Sequence, residues 1–92
     1  MKFMTTWSVR PESIPEAVNR FLAGQGAPVE GVALLGRWHS VDLSHGYSLY
    51  ETDDAAALYR GAARWSDVMD LETVLVVEDA VAGPALASVY KS

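Results

Sequence analysis

Val32-Ala33-Leu34-Leu35-Gly36-Arg37-Trp38-His39 and Tyr47-Ser48-Leu49-Tyr50-Glu51 are two mainly apolar runs of strand length. Between them, Asp42 to Gly46 brings Ser44, His45 and Gly46 together, which reads as a hairpin connection of about five residues. This central hairpin decides the fold, because a helical pattern and then a strand pattern lie beyond it on each side.

Toward the N-terminus, Gln25-Gly26-Ala27-Pro28 is a turn-rich link. Ahead of it, Ile14, Ala17, Val18, Phe21 and Leu22 recur at the spacing of one helical stripe, and Gly24 is placed to end that helix. Ser13-Ile14-Pro15-Glu16 matches a capping box, in which the serine hydroxyl takes a free backbone N–H and the glutamate reaches back to the cap. From Lys2 to Val9, Phe3, Thr5, Trp7 and Val9 alternate with Met4, Thr6 and Ser8, the period of a strand.

Toward the C-terminus, Thr52, Asp53 and Asp54 supply a capping oxygen and carboxylates where a helix dipole favours negative charge. The helix they start runs to about Trp65, with a buried stripe of Ala55, Leu58, Ala62 and Trp65 and with Arg60 and Arg64 facing water. Met69 to Glu78 alternates again and predicts a fourth strand. After Asp79, Gly83-Pro84 suits a break or a new start, followed by a short C-terminal helix docked through Leu86, Val89 and Tyr90.

The order β-α-β-β-α-β is the split βαβ arrangement, an α+β ferredoxin-like sandwich with both helices on one sheet face. The opposite face, with Met4, Thr6, Ser8, Val74 and Val76, is left bare and too apolar for water, so a homodimer that covers it is expected. The same topology gathers Trp7, Trp38, His39, His45, Tyr47 and Trp65 at one edge of the sheet.

The 92 residues fit one domain, residues 1–92, without repeats or a long linker. Half of them are hydrophobic, too many for a disordered chain. The net charge of -5 repels phosphate backbones and anionic membranes, which argues against nucleic acid and membrane partners. Absence of cysteine excludes disulfides, thiolate metal sites and a cysteine nucleophile. The opening residues lack the apolar core of a signal peptide, and no run approaches a membrane span, so a cytoplasmic location is expected.

Arg37-Trp38-His39 combines a fork of donors, a flat apolar plate and a group that titrates near neutral pH. That points to a pocket for a small aromatic or oxygenated molecule, lined by Trp7, Trp38, Tyr50 and Trp65. Arg37 and His39 supply its polar contacts and, in an enzyme, its acid/base and oxyanion-holding groups. The competing reading is a non-catalytic dimerisation or interaction module in which the tryptophans fill the core. His39, His45 and Asp42 match no strong metal-binding spacing, and neither a metal nor a cofactor is expected. Phosphate-loop, nucleophile-elbow and zincin signatures are absent from the sequence.

Met1-Lys2-Phe3-Met4 with Trp7, the Glu16-Ala17 to Phe21 helix, Leu34-Leu35-Gly36-Arg37-Trp38-His39, Glu51-Thr52-Asp53-Asp54 and Trp65-Ser66-Asp67 form a set. In this set the chain resembles a family of small bacterial proteins, domain of unknown function 3303, over most of its length. That resemblance supports the fold and assigns no residue a role. More distantly, the layout is similar to the dimeric α+β barrel group, which spans cofactor-free monooxygenases, isomerases, ligand sensors and haem enzymes. It raises the expectation of a small-molecule pocket without choosing a reaction.

Overall fold

The computed structural model describes residues 1–91. Its elements are β1 (Lys2–Val9), α1 (Ile14–Leu22), β2 (Ala33–His39), β3 (His45–Glu51), α2 (Ala55–Ala63), β4 (Met69–Val76) and α3 (Asp79–Tyr90), with a short 3-10 turn at Pro11–Ser13 before α1. The strands form one antiparallel sheet in the order β2-β3-β1-β4. This is the ferredoxin-like α+β fold, in which β1 and β2 run one way and β3 and β4 the other.

Local chemistry sets the helix ends. At the C-terminus of α1, Gly24 adopts φ 86°, and the amides of Gly24 and Gln25 donate to the carbonyls of Phe21 and Arg20. That pair of bonds is a Schellman closure, which needs the left-handed conformation glycine takes without steric cost. The capping box at Ser13 does not form. Ser13 lies in a helical turn and its hydroxyl makes no capping bond, while Glu16 accepts from Arg20 one turn on. The extra 3-10 turn places Ser13 inside the helical path, where its side chain no longer faces the free amides. At α2 the cap works as expected, with the Asp54 carboxylate accepting from the Ala57 amide at 3.1 Å.

Two further expectations are corrected. The buried stripe of α2 passes through Ala57 and Leu58, whereas Ala55 is exposed. In α3, Gly83-Pro84 breaks nothing: Pro84 lies inside one continuous helix. Leu86, Val89 and Tyr90 do not dock within the chain and remain exposed.

A bulge in β2 was not visible in the sequence. Leu34 pairs with Tyr50 and Gly36 with Leu49, so Leu35 is an inserted residue. It shifts the alternation by one and fixes the faces of everything that follows. Arg37 and His39 point to the helix side, and Trp38 points to the other.

Close backbone approach is confined largely to neighbouring strands, and α1 and α2 stand off from the sheet. Among the described residues the only buried hydrophobic side chains are Ala17, Ala57, Val68 and Met69. Ala17, Val68 and Met69 form a small cluster, against which Trp7, Val9, Trp65 and Leu71 pack. Arg20 ties this end together by a bidentate ion pair from α1 to Asp67, at 2.9 and 2.6 Å. No helix of the described residues is long and apolar enough to cross a membrane.

Candidate functional site

Where a filled core would stand, the space between the helices and the sheet is a cavity of about 390 Å³. This lies within the size range of small-molecule sites. Its floor is the helix-side face of the sheet, and strand register arranges that face in rows. Leu34, Tyr50, Phe3 and Leu75 align in one row; Arg37, Ser48, Thr5 and Thr73 in the next; His39, Gly46, Trp7 and Leu71 in the third. A polar row therefore crosses the floor between two largely apolar ones. Tyr50 and Gly46 are four steps apart along β3, which is about 13 Å at strand rise.

The middle row is held by its own hydrogen bonds. Thr5 and Thr73 share one between their hydroxyls at 2.7 Å. Arg37 Nε donates to Ser48 Oγ at 3.3 Å, and its Nη2 donates to the Gly26 carbonyl at 2.6 Å. The second bond pins the link after α1 over the sheet. It also leaves some of the five guanidinium N–H groups for another acceptor.

In the third row Gly46 has a specific task. A Cβ built on it would stand 1.9 Å from Trp7 Cζ2, so the indole lies across the bare backbone of β3. From there Trp7 reaches the imidazole of His39, two strands away, with ring centroids 5.8 Å apart in edge contact. Phe21 meets the same imidazole at 5.2 Å, also edge-on, and the Arg37 guanidinium sits 5.9 Å from the Phe21 ring. His39 thus meets two aromatic rings edge-on while remaining exposed to solvent, and no side-chain hydrogen bond to it occurs among the described residues.

Trp65 closes the same end, beneath Arg20, whose guanidinium lies 5.8 Å from the ring. Arg20 titrates above its ordinary value because Asp67 and then Glu16 accept from it, and Asp67 is lowered by the same bond.

Of the residues expected at the pocket, Trp7, Arg37, His39, Tyr50 and Trp65 line the cavity and Trp38 does not. Trp38 lies on the opposite face, paired with Tyr47, its indole folded over Gly36. The bulge at Leu35 placed it there. His45 stands at the cavity rim, its Nδ1 2.6 Å from Ser44 Oγ. Asp42 gathers Ser40 and Ser44 in the same loop, and these bonds, Ser44 first, hold its carboxyl well below the usual carboxylate range. Among the described residues, no three histidine, aspartate or glutamate side chains come together as a metal cage. Phe21 and the Thr5–Thr73 pair were not singled out from the sequence as site residues. Phe21 read as one member of the α1 stripe, and the threonines as strand residues.

A family model described as "Domain of unknown function (DUF3303)" matches residues 1–90. The chain belongs to this family. Among solved structures, the DUF3303 chain is similar to SCO4226 from Streptomyces coelicolor A3(2), at 21% identity and a TM-score of 0.50, covering 85% of this chain and 98% of that one. It also matches Rv0793 from Mycobacterium tuberculosis, at 11% identity and a TM-score of 0.49 over 86% and 96% of the two chains. A protein named antibiotic biosynthesis monooxygenase matches at 18% identity and a TM-score of 0.48 over 85% and 98%. At these identities the likeness is one of fold. No curated protein matches the sequence.

Proposed function

We propose that this DUF3303 chain binds a small, flat, oxygenated molecule in the cavity between sheet and helices, and that it does so as a homodimer. The observation that carries the reading is the cavity itself: about 390 Å³ of mainly apolar space where a domain of this size ordinarily packs side chains. Trp7, Trp65 and Phe21 offer ring faces and edges at one end and Tyr50 at the other. The Thr5 and Thr73 hydroxyls and the Arg37 N–H groups lie between them, where a carbonyl or phenol of the ligand would sit. Trp38, Tyr47, Met4, Leu49 and Val74 make an apolar patch on the opposite sheet face, which a second copy would cover.

In the enzymatic form of this reading His39 removes a proton from the carbon beside the ligand's carbonyl, and Arg37 holds the resulting oxyanion. Return of the proton at another carbon completes an isomerisation. A cofactor-free monooxygenation starts from the same carbanion. It passes four electrons to O₂, one oxygen atom becomes a new carbonyl on that carbon, and the other leaves as water. The alternative is binding without catalysis, favoured by the commitment of Arg37 to Ser48 and Gly26.

Titration with 2-naphthol, followed by tryptophan fluorescence, tests the pocket. Saturable binding with a dissociation constant on the order of 10–100 μM is expected for a ligand of this size, and no saturation up to millimolar concentration would overturn the reading. Exchange of the C1 protons of 2-tetralone in D₂O, followed by NMR, tests His39. Acceleration by the native chain that is lost in His39→Ala supports catalysis, and equal rates leave binding alone.

A further inference from the structure

Among the described residues, the C-terminal helix α3 packs little against its own chain. Among its residues only Ala82 is even half-buried, and Leu86 and Tyr90 are 57% and 82% exposed. From Ala80 to Tyr90 it carries no charged side chain, and its apolar residues are spread around the helix without a polar face. It also projects outward. Strands of eight residues span about 26 Å and a twelve-residue helix about 18 Å, and the longest dimension of the molecule is 54 Å.

Such a helix is not self-supporting in water. Twelve residues is near the lower limit for an isolated helix even with good helix formers. This one contains Gly83 and Pro84, which disfavour a helix interior by about 1 and 3 kcal/mol relative to alanine. Contact on several sides is needed to keep it formed.

We propose that α3 is an exchanged arm, which docks against a second copy of this chain and is held there by apolar contact. The inference rests on the homodimer proposed above. The area a stable dimer requires favours that occupant. Four strands about 4.8 Å apart give the open sheet face a footprint of roughly 500 Å², short of the ~800 Å² per partner typical of stable complexes. The arm given and the arm received each add about 180 Å² from helix length and width, which brings each copy to the typical size. A two-fold axis supplies both arms at once. The net charge of -5 disfavours the other apolar occupant, an anionic bilayer.

Sedimentation equilibrium on the full chain, on Leu86→Glu/Val89→Glu and on the sheet-face variant Val74→Glu tests this, because residues 74, 86 and 89 are all exposed in the single chain and their replacement is expected to leave its fold intact, as circular dichroism would check. The expected result is a dimer for the full chain, weakened at least tenfold by the arm substitutions as well as by the sheet substitution. The sequence has no cysteine, so Val89→Cys carrying a benzophenone gives a second readout. Its photoproduct is expected at twice the chain mass. A dimer that the arm substitutions leave unweakened, or a crosslink confined to one chain, overturns the arm and leaves the sheet-face dimer standing. A monomeric full chain, with or without binding to zwitterionic vesicles, overturns both.

Discussion

Gly46 and Gly36 pose the same steric question on opposite faces of one sheet. A Cβ at Gly46 meets the buried-side indole of Trp7 at 1.9 Å, and one at Gly36 meets the outer indole of Trp38 at 2.5 Å. Trp7 is hemmed in by His39 and Leu71, whereas Trp38 is 57% exposed and can swing into water. Gly46→Ala is therefore expected to cost about 2–3 kcal/mol, in the range of overpacked cores, and to disturb the tryptophan spectrum. Gly36→Ala is expected to cost about 1 kcal/mol or less, and urea denaturation of the two variants checks the contrast. Asp42 supplies a pH prediction. Its folded-state pKa lies below the ordinary 3.8 because Ser44 and Ser40 donate to it, so its contribution to stability is present above that pH and is lost as pH falls below it. Asp42→Ala should be less stable than the native chain at pH 7, and the two denaturation midpoints should converge as the solution is acidified. A difference that persists unchanged at low pH would remove the hydrogen-bonding explanation.

Among the elements, the succession of strands and helices along the chain was legible, because β1, β4 and α1 carry a clean period of two or 3.6 and β2 and β3 are apolar runs of strand length. What the period could not show was the bulge at Leu35, since an inserted residue leaves the composition of β2 unchanged and only reverses its faces. That one residue turned Trp38 away from the site and turned its neighbours Arg37 and His39 into it. The two helix starts differ for a related reason: Ser13 and Asp54 both have capping chemistry, and only Asp54 is in the extended conformation that aims a side chain at free amides. Asp54→Ala is expected to cost about 1 kcal/mol, and Ser13→Ala only a few tenths. Equal losses in thermal melts would mean that the 3-10 turn before α1 does not persist in solution. For α3 the sequence carried the helix but not its surroundings, because an apolar helix reads the same whether its partner is in the chain or outside it.

At the scale of the molecule, an antiparallel sheet has two helices held off it, and the buried apolar cluster that joins them lies at the Trp7–Trp65 end. That the edge gathers aromatic and titratable residues followed from strand direction alone. That they surround open space did not, because a cavity depends on helix height above the sheet, which no side-chain pattern encodes. Gly61 reports on it directly. It lies inside α2 on the cavity wall, and a Cβ there meets nothing closer than Val29 at 3.9 Å. Gly61→Ala should raise stability by about 0.5–1 kcal/mol through helix propensity, and Gly61→Leu should keep the fold while weakening 2-naphthol binding by reaching into the space. Loss of stability in Gly61→Ala would indicate that the helices close down on the sheet. The most direct test of the central claim, a ligand-holding cavity within a dimer, is native mass spectrometry of freshly purified protein. The account predicts twice the chain mass together with a retained small molecule, or uptake of added 2-naphthol by the bare dimer. A chain at monomer mass that retains nothing and takes up no 2-naphthol would contradict it.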